Sequence, residues 1–169
     1  DTLFYFAMNT GLVRLNIKHD GTFQLFALPD VRMRSYAVTY SPTSKMVYVA
    51  TSGGVQQVDL NNNVTPLLKN NSPAFANDLC WSNGLLYLAV NGGVEKWKES
   101  SYVGLLQPKT VIGAADFLKI DVVDEKIYAI TTGGFLILQK DGAVALQLNT
   151  AYGFSTNRLY DFEVRSDDF

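Results

Sequence analysis

One phrase recurs down this chain: a tyrosine, four intervening residues, a glycine pair and an apolar residue. It reads YVATSGGV from Tyr48, YLAVNGGV from Tyr87 and YAITTGGF from Tyr128, with a variant, YFAMNTGL, from Tyr5 in which Thr10 replaces the first glycine. The four tyrosines stand 43, 39 and 41 residues apart. A period of ~40–50 residues built from strand-like runs points to a β-propeller, one four-stranded blade per repeat. The expectation is an all-β chain with four blade repeats of about 41 residues. The units fall near residues 1–35, 36–76, 77–115 and 116–157, with 158–169 starting or closing a blade. The whole of 1–169 then reads as one propeller domain or a propeller segment.

Each repeat can be cut into strands. The tyrosine strands, expected at 2–8, 45–51, 85–90 and 126–131, are apolar on both faces, as in Met46-Val47-Tyr48-Val49-Ala50. A strand with that pattern must be covered on both sides, which is what neighbouring blades do to a blade's middle strands. A further strand follows each glycine phrase, at 12–17, 55–60, 94–98 and 135–139. The outermost strand comes after a polar turn, at His19-Asp20-Gly21, Asn61-Asn62-Asn63, Glu99-Ser100-Ser101 or Lys140-Asp141-Gly142. Asp-Gly suits a tight hairpin because glycine accepts positive φ. The innermost strands are expected at 36–41, 77–82, 117–123 and 158–164, and no stretch shows helical periodicity.

The ends are out of phase with the repeat. The N-terminus supplies a blade without its innermost strand, and Arg158 to Val164 supplies an innermost strand with nothing after it. Either the two ends pair and close a four-bladed ring, removing exposed sheet edges, or the chain is part of a larger ring.

Composition excludes some functions. The net charge is −2 and Lys and Arg are scattered without a run, so the basic footprint of a nucleic-acid binder is missing. No stretch approaches the ~20 apolar residues of a transmembrane helix. Cys80 is the only cysteine, which rules out an intrachain disulfide.

The phrase from Lys45 to Val55, KMVYVATSGGV, resembles the two-component regulator propeller repeat, with tyrosine where that family writes tryptophan. Tyr152 to Asp161, YGFSTNRLYD, is similar to the stretch leading into that family's next blade. The resemblance implies an extracytoplasmic sensor or interaction module, periplasmic or extracellular in a bacterium. It also implies neighbouring domains in a larger chain and a response to oligosaccharides or a protein ligand. The alternative is a propeller enzyme of lactonase or lyase type with a metal or acid in the central channel, or a docking scaffold of a surface or secretion complex.

The glycine pairs lack the strand-to-helix context and the Lys-Ser/Thr of a phosphate loop, so they read as tight turns. The repeated tyrosines, Trp81 and Trp97 read as inter-blade packing. His19, the single histidine, sits in a polar turn without a second ligand and does not make a zinc site. Asp78, Asp116, Asp121 and Asp161 lie on or beside innermost strands, but Ala37 and Lys119 take the place of Asp78 and Asp161 in the other repeats, which argues against a repeated metal or acid site. No catalytic residue, metal ligand or cofactor is assigned. The ligand-binding candidates are Arg32 and Arg34 in the first connecting loop, Asn70 and Asn71 in the second, and Tyr152 and Phe154 in the last. If the first two loops share a face, they suit an acidic or hydroxylated ligand. The last two are aromatic residues in a polar loop.

Overall fold

Every tyrosine phrase forms the bend of an antiparallel hairpin, and the hairpins stack outward into blades. In this computed structural model the described residues are 2–109, 116–156 and 158–164. They fall into two compact units, Asp1–Leu79 and Cys80–Phe169.

In the first unit, β1 (Thr2–Met8), β2 (Gly11–Ile17) and β3 (Phe23–Ala27) form a three-stranded sheet in that order. The next sheet is a full blade of β4 (Ser35–Ser41), β5 (Met46–Thr51), β6 (Gly54–Val58) and β7 (Val64–Pro66). A small hairpin, β8 (Leu68–Lys69) with β9 (Ser72–Pro73), follows it. A third sheet, β10 (Asp78–Ser82), β11 (Leu85–Val90), β12 (Gly93–Lys98) and β13 (Ser101–Leu106), begins at the boundary between the units. The second unit ends with β14 (Phe117–Val123), β15 (Lys126–Thr131), β16 (Gly134–Leu138) and β17 (Val144–Leu148). A 3-10 turn, Thr150–Tyr152, is capped by the Asn149 side chain.

The sheets within each unit pack in the same sense. Residues directly opposite in a ladder share a face. In the first sheet Tyr5 and Leu12 lie on one face, and they pack against Val47, Val49 and Val58 on the next. In the second unit Tyr87, Ala89 and Val94 pack in the same way against Ile127, Ala129 and Leu138. Within each unit the tyrosine face of the earlier blade therefore meets the opposite face of the later one. This accounts for the apolar residues on those faces of the tyrosine strands.

The glycine phrase is a turn with a neighbour pressed against it. Gly134 has φ +116, and a Cβ there would overlap the carbonyl oxygen of Leu148 on the departing chain. Gly54, at φ +109, is crowded by Pro73 and Ala74 in the same way. The second glycine is required because the exit from β17, or from the small hairpin, crosses directly over the turn.

One sequence expectation fails. Residues 158–164 form no strand, so the strand that would complete the β1–β3 sheet is not made among the described residues. The Asp161 carboxylate accepts from the Phe162 amide. The Phe162 ring stands edge-on to Phe135 at 5.4 Å, and Asp161 pairs with Lys119. The segment lies over the second unit's last sheet as an irregular strap.

Candidate functional site

In the first unit, two connecting loops meet at one turn. The loop after β3 is pinned by Leu28, whose amide donates to the Leu12 carbonyl at 2.9 Å, and by Val31, whose carbonyl accepts from the Leu12 amide at 3.2 Å. Leu28 and Val31 are buried, and between these anchors and β4 the polar Arg32 and Arg34 are left exposed. The Arg34 carbonyl accepts from the Ser52 amide at 2.9 Å, while the Met33 sulfur lies over Gly53. From the other side, the Val55 amide donates to the Ala74 carbonyl at 2.7 Å, and Pro73 touches the Gly54 position. The Thr51–Gly54 turn thus holds both loops, and the first two candidate clusters lie on one edge of this unit.

Their roles within that edge differ. The Arg34 guanidinium lies 5.4 Å from the centre of the Tyr36 ring, a cation–π pair with both members exposed. Arg32 borders a groove of about 360 Å³ whose other walls include Thr10, Leu12, Ala27, Pro29 and Val31. Asn70 and Asn71 are the two central residues of the β8–β9 hairpin, with φ of +51 and +63. Two positive φ values make a type I′ turn, and asparagine tolerates that conformation better than most residues. Both are solvent-exposed, so they have a turn role with their side chains open to a ligand.

In the second unit, Tyr152 is exposed on the 3-10 turn and Phe154 is half-buried just after it, where its amide donates to the Asn149 carbonyl at 3.4 Å. These two belong to a different unit from the four residues above.

The structure also forms a cleft that was not expected from the sequence. Asn83, Tyr87, Lys96, Glu125 and Lys140 surround a space of about 280 Å³ between the two sheets of the second unit. Burial, with smaller contributions from the charges of Cys80 and Glu125, pushes the Tyr87 hydroxyl above its ordinary value. Glu125 bonds Lys140 at 2.9 Å and holds that ammonium above its usual pKa. The cleft therefore presents a neutral phenol, an amide and groups of both signs. Lys96 stands on β12 next to Glu95, in a strand of mixed pattern that does not single it out. The other members come from β11 and from separate turns, which a single strand pattern does not connect.

The innermost-strand acids are dispersed. The Cys80 thiol donates to Asp121 at 3.6 Å across neighbouring sheets, Asp161 pairs with Lys119, and the Asp116 amide donates to the Thr132 hydroxyl at 3.1 Å. Among the described residues no three His, Cys, Asp or Glu side chains gather as metal ligands, and no helix is long and apolar enough to cross a membrane. His19 is exposed in its turn, and Trp97 is fully buried.

No family model and no curated protein matches the chain. Solved structures do. The extracellular domain of a putative one-component system from B. thetaiotaomicron superposes with a TM-score of 0.67 at 13% identity, over 91% of this chain and 21% of that one. The WD40 β-propeller domain of Doa1 matches with a TM-score of 0.61 at 13% identity, over 86% and 50% of the two chains. Virginiamycin B lyase from Staphylococcus aureus matches with a TM-score of 0.59 at 14% identity, over 81% and 48%. The chain thus spans half or less of each of these proteins. With the antiparallel four-stranded sheets, these likenesses show a β-propeller fold.

Proposed function

We propose that this chain is a non-catalytic sensor or interaction propeller, acting outside the cytoplasm and reading an acidic or hydroxylated oligosaccharide at its loop edge. The observation that carries the reading is the convergence of the Arg32–Arg34 loop and the Asn70–Pro73 hairpin on the Thr51–Gly54 turn. Arg34 and Tyr36 already form a cation–aromatic pair there. A guanidinium matches a sugar carboxylate with two parallel hydrogen bonds, and an aromatic ring offers its face to the apolar side of a pyranose. Asn70 and Asn71 add amide donors and acceptors from the facing hairpin. The rigid turn under both loops keeps the groups in place, which lowers the entropy cost of binding. The extracellular domain among the structural neighbours, and the resemblance of the repeat to regulator propellers, support the sensor setting. Signal would pass as a rigid-body change against a neighbouring domain.

Calorimetric titration with uronic-acid oligosaccharides and their neutral counterparts tests the reading. The expected result is a preference for the acidic sugar that falls by about tenfold or more in Arg34→Ala, from the loss of a charge-assisted pair. Binding that ignores both Arg32→Ala and Arg34→Ala would move the ligand site elsewhere, and turnover of a substrate would favour the lyase-type alternative.

A further inference from the structure

One cation of the second unit has no partner inside the chain. Lys96 stands directly opposite Tyr87 in the β11–β12 ladder, so the two side chains share the face turned toward β14–β17. It is half-buried, and among the described residues its ammonium makes no ion pair and no hydrogen bond. A charge drawn part-way out of water without a partner costs stability, and an arriving anion would recover it.

The first unit handles the same position differently. Arg14, directly opposite Tyr5, holds the place of Lys96, and it donates to the Asn62 side chain at 2.6 Å. Asn62 belongs to the β6–β7 turn, and the matching turn of the second unit joins β16 to β17. The two turns close alike: the Gly142 amide donates to the Gln139 carbonyl as the Asn62 amide does to that of Asp59. Gly142 therefore takes the place of Asn62 and has no side chain to offer. No larger residue fits there, since a Cβ would lie 2.5 Å from the Gln107 carbonyl oxygen. The second unit is left with a half-buried cation, no acceptor for it, and the cleft of about 280 Å³ alongside.

The rest of the cleft says which anion suits it. Lys140 is already held by Glu125 at 2.9 Å, so Lys96 is the cation left for a ligand. Those three side chains sum to one positive charge, which a single negative charge balances, and Glu125 would repel a dianion. With its pKa raised by burial, the Tyr87 phenol stays protonated at neutral pH and is a donor. Leu85 and Ile127 form apolar walls that an organic body would cover and an inorganic ion would leave wet. Pockets for drug-sized ligands begin near about 300 Å³, so this cleft suits a molecule of monosaccharide size. We infer that it binds a small hydroxylated monocarboxylate, a sugar acid or hydroxy acid. The ligand carboxylate pairs with Lys96 and the Tyr87 hydroxyl, and its own hydroxyls meet Asn83 and Glu125. This site lies wholly within the second unit and does not depend on the loop edge around Arg34.

Amide NMR titration of the intact chain with glucuronate, glucose and sulfate tests this residue by residue. Glucuronate should move the signals of Asn83, Tyr87, Lys96 and Glu125 and saturate with a Kd on the order of 1 mM. Glucose lacks the carboxylate and sulfate lacks the organic body, so neither should match it. Lys96→Gln should weaken glucuronate binding at the cleft by about tenfold or more, through loss of a charge-assisted bond. Tyr87→Phe should weaken it by about threefold to tenfold, and unchanged signals elsewhere will show that each variant keeps its fold. Shifts confined to the loops around Arg34 and Ser52 would overturn the inference while leaving the proposed function standing. Sulfate acting as well as glucuronate would overturn it as well, reducing the cleft to an adventitious ion site only. So would glucuronate binding at the cleft that ignores Lys96→Gln.

Discussion

The Thr51 hydroxyl donates to the Gly54 carbonyl at 2.6 Å and accepts from the Gly53 amide at 3.1 Å, which ties the ends of a turn through one side chain. Thr131 makes the same two bonds to Gly134 and Gly133, at 3.0 and 3.1 Å. Both threonines are buried, so the hydroxyl has no water to fall back on. Thr131→Val keeps the shape and strands a buried amide and carbonyl. It should cost about 1–3 kcal/mol in urea unfolding, and Thr131→Ser should recover most of that.

Gly134→Ala is expected to be worse. The position combines φ +116 with a carbonyl where the Cβ would go, so the departing chain has to shift. A loss of about 2–4 kcal/mol is expected by denaturant titration. Gly21 shares the positive φ, at +82, but nothing lies within 4 Å. Gly21→Ala should therefore lose only about 1 kcal/mol, the backbone cost alone.

Trp97 is the largest fully buried side chain. Its indole N–H donates to Glu95 at 3.1 Å, and its ring meets Tyr102 edge-on at 5.4 Å. Trp97→Ala should destabilise by about 3–5 kcal/mol through the cavity and the lost ring contact. Trp97→Phe keeps most of the volume and removes one donor from the buried Glu95 carboxylate. Its stability should therefore lie between those of the wild type and Trp97→Ala.

Acid sensitivity should come from turn carboxylates. Hydrogen bonds from the Asn63 side chain and amide, with a smaller one from Asn61, hold Asp59 below its usual value. Thr22 does the same for Asp20, Lys109 for Asp141 and Lys119 for Asp161. A carboxylate whose folded pKa is depressed stabilises the fold above its unfolded pKa and loses that contribution as pH falls through the folded value. Stability should therefore hold above about pH 4 and decline below it. Asp59→Asn should flatten that decline, measured as unfolding midpoint against pH; an unchanged slope would show that Asp59 carries none of it.

Local patterns in the sequence mark most of the strands and turns of the fold. Tyrosine strands expected at 2–8, 85–90 and 126–131 are found at those limits, and the one expected at 45–51 begins at Met46. They were legible because alternation and glycine turns are properties of adjacent residues. Asn70 and Asn71 were noticed for their polarity, whereas their φ values give them a turn role as well. The cleft of Tyr87, Lys96, Glu125 and Lys140 was missed because its members come from separate strands and turns. The strap at 158–164 reads as a strand because its apolar residues alternate acceptably, and nothing in its local pattern marks the contacts to Phe135 and Lys119 that hold it over the last sheet.

By itself, then, the sequence determined the repeat, the hairpins and the glycine turns, since each depends on contacts within a few residues. Tertiary structure alone decided which of these surfaces are covered. Phe4 and Val47 hold the same place in their repeats, yet Val47 is 3% exposed and Phe4 is 44% exposed. Hydrophobic burial depends on a second surface being present opposite the first. No pattern along one strand can say whether that surface is there.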